Sequence, residues 1–389
     1  MNGSPFKQWI SDLRTQLLGQ KVTAYPTYGY PDPREPDSWI VPMRIWVHDN
    51  RDTPFAERAF EQWAIRYFEE DLNRPLEKNE KARLARTCGC FIADDKSNES
   101  VEFSFVGDSH ERVFTFSHRS SPNGVIEENV SLPGELIEDL SPRQSDGDRW
   151  LEISLRTADG NGTGQGVIRF LVANGLSIVS DIDDTIKVTH VPAGKKTILR
   201  NTFLNEFQAA AGMRDRYQQM IADAGAAADV CFHYVSGSPW QLFDVLSEFL
   251  IEQEQFPPGT FHMKTFRKNI LEAGALESIR AFALGGDLAT LDQKIRQITN
   301  LMIHLPQRKF ILIGDSGEKD PEVYRAIRRL FPKQVQHIII RDVLGQRLAG
   351  MERIAGEDVS VFLDTSELEA EMNAMVAQAT FTAPDPPKL

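Results

Sequence analysis

Three short runs in the second half of the chain place acids and hydroxyls where apolar strands end. Leu176–Ser180 leads into Asp181-Ile-Asp183-Asp-Thr185, Val230–Val235 into Ser236-Gly237-Ser238, and Lys309–Ile313 into Gly314-Asp315-Ser-Gly-Glu-Lys-Asp320. In open α/β sheets ligands bind beyond the carboxyl ends of the strands, so these positions face the usual site. Asp181 and Asp183 can serve one site if the second lies in the loop after the strand. Carboxylates so placed can ligate a hard cation, act as nucleophiles or carry protons.

Each residue taken singly has a plainer reading. A strand-end aspartate is commonly a cap or turn residue, Ser236 could cap the helix after Pro239, and Asp320-Pro321 reads as an N-cap followed by proline. The ordered set within one alternating segment is what sets these residues apart.

The elements that must position them follow from periodicity. After Gly175, apolar strand-like runs (Leu176–Ser180, Val230–Val235, Thr260–Lys264, Phe310–Ile313, Ile338–Ile340) alternate with helical stretches at Gln241–Glu254, Leu291–Leu305 and Pro321–Leu330. That pattern predicts an α/β catalytic domain over 176–380, a doubly wound parallel sheet buried on both faces. A last strand at Val359–Leu363 precedes a helix over Glu367–Ala379 and a Pro-rich tail, 381–389, expected to be disordered. Residues 188–229 are long for a βα connection and carry Phe203, Phe207, Met213 and Tyr217, so they read either as a small helical cap or as an extended crossover.

Upstream, residues 1–98 mix helical and strand patterns. Phe6, Trp9, Ile10 and Leu13 share one face of a helix over 6–19, Trp39–His48 alternates like a strand, and 55–86 is helical. Residues 99–175 read as a β-rich antiparallel sandwich or barrel, packed with the first region as one N-terminal domain. The glycine-rich Asp159–Gly166 run lacks a following Gly-Lys-Ser/Thr and reads as a hairpin tip.

The motifs resemble a known group. Asp181-x-Asp183-x-Thr185, Ser236 and Gly314-Asp315-x-x-x-x-Asp320 are similar to the first, second and fourth motifs of the haloacid-dehalogenase-like phosphohydrolases. A narrower resemblance is carried by Ser180–Lys187, Tyr234–Trp240, Phe261–Lys264 and Phe310–Tyr324, which together resemble the actin-patch-associated phosphatidate phosphatase family and its bacterial relatives. It covers about 176–345, and Tyr25–Tyr30 and Trp39–His48 look more weakly like the family's upstream region.

The resemblance implies a Mg²⁺-dependent phosphohydrolase acting on phosphatidate through an aspartyl-phosphate. Asp181 would be the nucleophile and Asp183 the acid and base, with Ser236, Thr185 and Gly237 around the phosphoryl group. Mg²⁺ prefers oxygen ligands and keeps waters. Asp181, Asp315 and the Asp183 carbonyl would supply the protein's share, with Asp320 direct or through water. A lysine must offset the phosphoryl charge. Lys294 stands where the resemblance puts it, preceded by Gln293 where the family often has histidine; Lys264, at a strand end, is the alternative. A phosphatase for a soluble metabolite or protein, or a non-catalytic lipid- or protein-binding module, is the competing expectation.

Bulk properties narrow the partners. A net charge of -13 argues against non-specific nucleic-acid binding. Cys88, Cys90 and Cys231 are too few for a disulfide framework or a four-ligand zinc site, and His190, His233 and His262 match no ligand spacing. No basic start precedes an apolar run, and no stretch is long enough to span a bilayer, so a cytoplasmic chain is expected. Peripheral membrane contact could use the 6–19 face, the segment around Phe203–Met220, or Lys195, Lys196 and Arg200.

Overall fold

The computed structural model describes residues 6–7, 9–10, 20–49, 54–91, 94–140, 150–225, 228–265, 287–345 and 359–368. Residues 11–19 of the expected first helix, 369–379 of the last one and the 381–389 tail lie outside these.

Among the described residues nine strands form the N-terminal sheet: β1 (Gln20–Ala24), β2 (Thr27–Pro31), β3 (Ser38–Asp49), β4 (Asp94–Asp95), β5 (Val101–Phe105), β6 (Val113–Thr115), β7 (Val125–Pro133), β8 (Trp150–Thr157) and β9 (Gly162–Phe170). β1 and β2 both lie between β3 and β9, antiparallel to the first and parallel to the second. The sheet is therefore mixed, where alternation alone suggested an antiparallel one. It unites strands from both upstream regions around one apolar interior that includes Val41, Ile45, Phe103, Ile153 and Phe170. The glycine-rich run divides. Its tip is a turn near Gly160, while Gly162–Gly166 already belongs to β9. A Cβ at Gly164 would lie 1.6 Å from the Val22 carbonyl oxygen, so glycine is required for β1 to pair there.

The second sheet has six strands: β10 (Leu176–Ser180), β11 (Cys231–Pro239), β12 (Gly259–Lys264), β13 (Lys309–Asp315), β14 (Val335–Arg341) and β15 (Val359–Phe362). All pairings are parallel, in the order β12-β11-β10-β13-β14-β15. Both faces are buried, as continuous apolar strands require. Ile178, Phe232, Ile311 and Ile339 join the core containing the helices Lys195–Phe203 and Met213–Ala224. Val179, Val235, Leu312 and Ile340 pack against Ile298 and Met302 of the Asp287–His304 helix and Val323 and Ile327 of the Asp320–Leu330 helix. The strand order reverses at β10, which opens a crevice between the ends of β10 and β13. The expected single helix over Gln241–Glu254 is instead three consecutive turns types: 3-10 at Trp240–Leu242, α at Phe243–Ser247 and π at Glu248–Gln253.

Segment 188–229 also divides. Met213–Ala224 packs as a crossover helix on the sheet, where Tyr217 stacks near Phe232 and shares a 2.7 Å hydrogen bond with Ser180. Lys195–Phe203 instead leans on the upstream helices Pro54–Leu72 and Lys78–Gly89.

The two sheets meet through shared aromatics. Phe6 packs on Trp150, Trp9 on Phe243, and Tyr25 on Trp240. Tyr28 Oη and His304 Nδ1 share a 2.8 Å hydrogen bond. Arg308, fully buried, ties down the connection between the sheets. Its guanidinium donates to the carbonyls of Val172, Asn174 and Leu176, to Ser177 Oγ at 3.0 Å and to Asp229 Oδ2 at 2.8 Å. Gly175, at φ 147, passes so close that a Cβ would meet the guanidinium at 2.5 Å. Without the guanidinium Asp229 keeps Arg169 at 3.1 Å but loses its shorter partner, and the Val172, Asn174 and Leu176 carbonyls lose a buried donor. Arg308→Met should thus lower the unfolding free energy by about 3–5 kcal/mol, read by chemical denaturation, and a loss under about 1 kcal/mol, the level of an exposed pair, would contradict this role.

Candidate active site

The site stands where β10 and β13 end. Asp181 continues the β10 ladder, its N–H donating to the Ile313 carbonyl at 2.9 Å, and its side chain is 1% exposed. Thr185 turns back in the following loop and donates to Asp181 Oδ2 at 3.1 Å. Asp315 closes β13 fully buried; its Oδ1 accepts the N–H groups of Gly317 at 2.6 Å and Glu318 at 3.1 Å. Its Oδ2 is buried without a hydrogen-bond partner. Asp320 opens the next helix without capping it. Its carboxylate reaches back to the strand end, where it accepts the Asp315 N–H at 3.3 Å. One carboxylate oxygen each of Asp181, Asp315 and Asp320 lies within 4.8 Å of the others.

Lys294 is the cation at this cluster. Its buried Nζ donates to Asp320 Oδ1 at 2.6 Å, Asp181 Oδ1 at 2.8 Å and Glu318 Oε2 at 3.1 Å. Lys264 Nζ lies elsewhere, on Thr290 Oγ1 at 3.1 Å along the pocket wall. Burial pushes Asp181 well above the usual carboxylate range; Lys294 opposes this, while Asp320 and Glu318 add to it. Asp315 is pushed up for the same reason, first by burial and then by Asp320, Glu318 and Asp181. Burial would lower the Lys294 ammonium, but Asp181, Asp320 and Glu318 together hold it well above its ordinary value. This is a cluster short of positive charge.

Asp183 sits in a different setting. Its Oδ1 accepts from Thr189 Oγ1 at 2.6 Å and Lys187 Nζ at 3.0 Å, and its Oδ2 from Ser238 Oγ at 2.9 Å and Ser236 Oγ at 3.4 Å. Burial works against the charged form, yet Lys187 and the hydroxyls outweigh it and bring Asp183 down to about 2. Its side chain is thus held apart from the Asp181–Asp315–Asp320 trio.

Asp183, Gly237, Lys264 and Lys294 line a pocket of about 470 Å³, within the usual range for small-ligand sites. Gly237 is tight against Thr290, with a Cβ there only 2.9 Å from its methyl group. The far wall is Val191, Gly194, Lys195 and Ile198. Four contributors escaped the sequence reading: Glu318, Ser238, Thr189 and Asp184. Asp184, at φ 58, accepts the N–H groups of Thr189 and His190 at 2.8 and 2.7 Å and so fastens the pocket wall to the Asp181 loop. An acid in a left-handed turn is a local signal, but its distant partners are not. Arg341 donates to the Asp184 carbonyl at 2.6 Å, and Asp342 accepts from Ser316 Oγ at 3.0 Å. His233 is spent on Thr260 and Ser177, at 2.7 and 3.2 Å. Lys196 and Arg200 both pair with Asp71.

Known proteins share this segment. Residues 176–342 match the family described as phosphatidate phosphatase APP1, catalytic domain. Phosphatidate phosphatase APP1 of Saccharomyces cerevisiae is 35% identical over 167 residues, 43% of this chain and 26% of its own. An uncharacterized protein of Schizosaccharomyces pombe is 33% identical over 173 residues, 44% of this chain and 26% of its own. Each alignment therefore spans about a quarter of the relative's length. Among solved structures, a Ruminococcus gnavus beta-glucuronidase aligns over 83% of this chain and 48% of its own at 8% identity and a TM-score of 0.24, too low to carry an argument. With its strand-end aspartates, hydroxyls and buried lysine in one crevice, segment 176–342 is similar to the catalytic domain of the APP1 phosphatidate phosphatases.

Proposed function

We propose that the chain is a phosphatidate phosphatase that splits a phosphate monoester in two displacements through an aspartyl-phosphate on Asp181. One observation carries this reading: Asp181 faces Lys294 at 2.8 Å within a trio of close carboxylates, behind a pocket that has the acid–base candidate Asp183 in its wall. The matched family and the yeast relative's name support the substrate. The reversed parallel strand order agrees with a doubly wound, haloacid-dehalogenase-like domain.

The trio fits a divalent cation. Three hard oxygen donors lie within reach of one another, and the unpartnered Asp315 Oδ2 is the kind of buried acceptor that a cation would satisfy. Asp181 and Asp315, with the Asp183 carbonyl and Asp320, would hold Mg²⁺, which would offset the negative charge of nucleophile and phosphoryl group.

The remaining work falls to the chain. Lys294 screens the phosphoryl oxygens that approach Asp181, and Ser236 with the N–H groups of the Asp181–Thr185 loop holds them. Asp181 attacks phosphorus as the ester oxygen leaves with a proton from Asp183. Asp183 then takes a proton from the water that splits the acyl phosphate, restoring the free Asp181 carboxylate and releasing phosphate. A pocket of about 470 Å³ accepts a head group and leaves acyl chains outside it. No helix among the described residues is long and apolar enough to cross a membrane.

Asp181→Asn should abolish phosphate release with an unchanged circular dichroism spectrum; turnover in that variant, free of contaminating enzyme, would remove the nucleophile assignment. Asp183→Asn should cost about 10²–10⁴-fold in kcat, the range of acid–base catalysis. Chelation should stop turnover and added Mg²⁺ restore it, with Asp315→Ala weakening Mg²⁺ binding in calorimetry; undiminished binding in that variant would overturn the ligand assignment. Phosphate release from phosphatidate in detergent micelles, set beside a panel of soluble esters, tests the substrate. Ready cleavage of soluble esters with none of phosphatidate in any presentation would leave a phosphohydrolase of another substrate.

A further inference from the structure

The Lys195–Phe203 helix serves three neighbours at once. Lys195, Ile198 and Thr202 line the catalytic pocket, Leu199 and Phe203 are buried in the core, and Lys196 and Arg200 reach Asp71 in the Pro54–Leu72 helix. Lys196 Nζ lies 2.6 Å from Asp71 Oδ1, and Arg200 Nε donates to Asp71 Oδ2 at 2.8 Å. The Asp71 side chain is only 4% exposed. Burial would raise the Asp71 carboxyl, but Lys196 and Arg200 on the pocket-wall helix outweigh it and hold it below its ordinary value. Further support comes from the same upstream region. Arg83 of the Lys78–Gly89 helix donates to the Leu204 carbonyl at 3.3 Å, and the Phe203 ring lies 6.4 Å from Phe68 and 5.9 Å from Phe91. At nine residues the wall helix is too short to hold its own shape in water, so its tertiary anchors decide its position.

We propose that the upstream helical pair is a working part of the substrate site, and that Asp71 is a positioning residue that fixes the pocket wall and thereby sets how tightly a phosphomonoester is gripped. This rests on the phosphatase reading and assigns a role to a region outside the matched family segment, 176–342. Asp71 touches no reacting atom. Its loss leaves the nucleophile, Lys294 and Asp183 in place and loosens only the wall they face, which removes ground-state and transition-state binding alike.

Full-length Asp71→Asn and Asp71→Glu test this by steady-state kinetics on a soluble phosphomonoester and on phosphatidate micelles, with amide hydrogen exchange over 195–203 alongside. Asp71→Asn should raise KM about tenfold, equal to about 1.4 kcal/mol, with kcat within about twofold. Asp71→Glu, which keeps the charge, should recover most of the loss. Exchange over 195–203 should quicken in the Asn variant, and not in the Glu variant. A folded Asp71→Asn protein with unchanged KM and unchanged exchange overturns the proposal, as does a lowered kcat at constant KM, the mark of a merely smaller folded fraction. If Asp71→Asn does not fold, Arg200→Gln cuts the same pair from the other side and is read by the same two outcomes. A wild-type protein inactive on every phosphomonoester would instead overturn the phosphatase reading; calorimetric binding of inorganic phosphate then replaces KM and decides the coupling by itself.

Discussion

Lys294 is buried among acids, and that crowding is the constraint on which the catalytic half depends. Its ammonium touches Asp181, Asp320 and Glu318, while Asp315 stands beside Asp320 as a fourth carboxylate. Little water reaches the cluster to screen these charges, so each acts strongly on the rest. The upward displacement of Asp181, Asp315 and Glu318 expresses the same fact from the side of the acids. Removing Lys294 would leave several buried carboxylates uncompensated, a costly outcome for a buried network. The cluster would therefore couple stability to the proposed chemistry, since the ammonium that binds Asp320 is also the one that touches Asp181.

The architecture meets this constraint by bringing separate elements to one crevice. β10 and β13 are hydrogen-bonded neighbours, which puts Asp181 beside Asp315; the Asp287–His304 helix, packed over β11 and β12, brings in Lys294, and the Asp320–Leu330 helix, packed over β13 and β14, brings in Asp320. Two glycines permit the closeness. A Cβ at Gly314 would lie 2.3 Å from Asp320 Oδ2, so any other residue would push that carboxylate off the strand end. Gly237 similarly lets the end of β11 approach the helix that carries Lys294. The pocket's opposite wall is held by tethers as well, Asp184 from within the domain and Asp71 from outside it.

Much of this was legible in the chain because it is local. Apolar runs ending in Asp181, Ser236 and Asp315 marked parallel strands and their carboxyl ends, and the helix carrying Lys294 showed its period. What stayed hidden depends on distant partners. Glu318 lies in the quoted Gly314–Asp320 run, yet only folding shows that it meets Lys294. The pairing of Lys196 and Arg200 with Asp71 joins residues more than a hundred positions apart, and a run of basic residues looks the same whether it faces solvent, lipid or an acid. The parallel pairing of β1 with β9 was equally invisible, since strand alternation reports which face is buried and not which neighbour lies alongside. Asp320 had two readings, a cap before proline or a member of the strand-end acid set; it does not cap the helix, and its carboxylate meets Lys294 beside Asp181 and Asp315.

Two aspartates two positions apart have been given opposite tendencies, and the contrast bears on how the site is switched. Burial and neighbouring acids favour a protonated Asp181, whereas Lys187, Thr189 and Ser238 keep Asp183 ionised, near 2, despite its burial. In the mechanism proposed above Asp181 reacts as a carboxylate and Asp183 first gives up a proton, so each would be drawn against the tendency that its surroundings impose. Two charges arriving from outside would reverse both. Positive charge among Asp181, Asp315 and Asp320 favours ionised Asp181, and a phosphoryl dianion beside Asp183 favours its protonated form. The two aspartates are thus tuned by different neighbours, Asp181 by the buried acids and Lys294, Asp183 by Lys187 and the surrounding hydroxyls, so charge added beside one acts on a different balance from charge added beside the other.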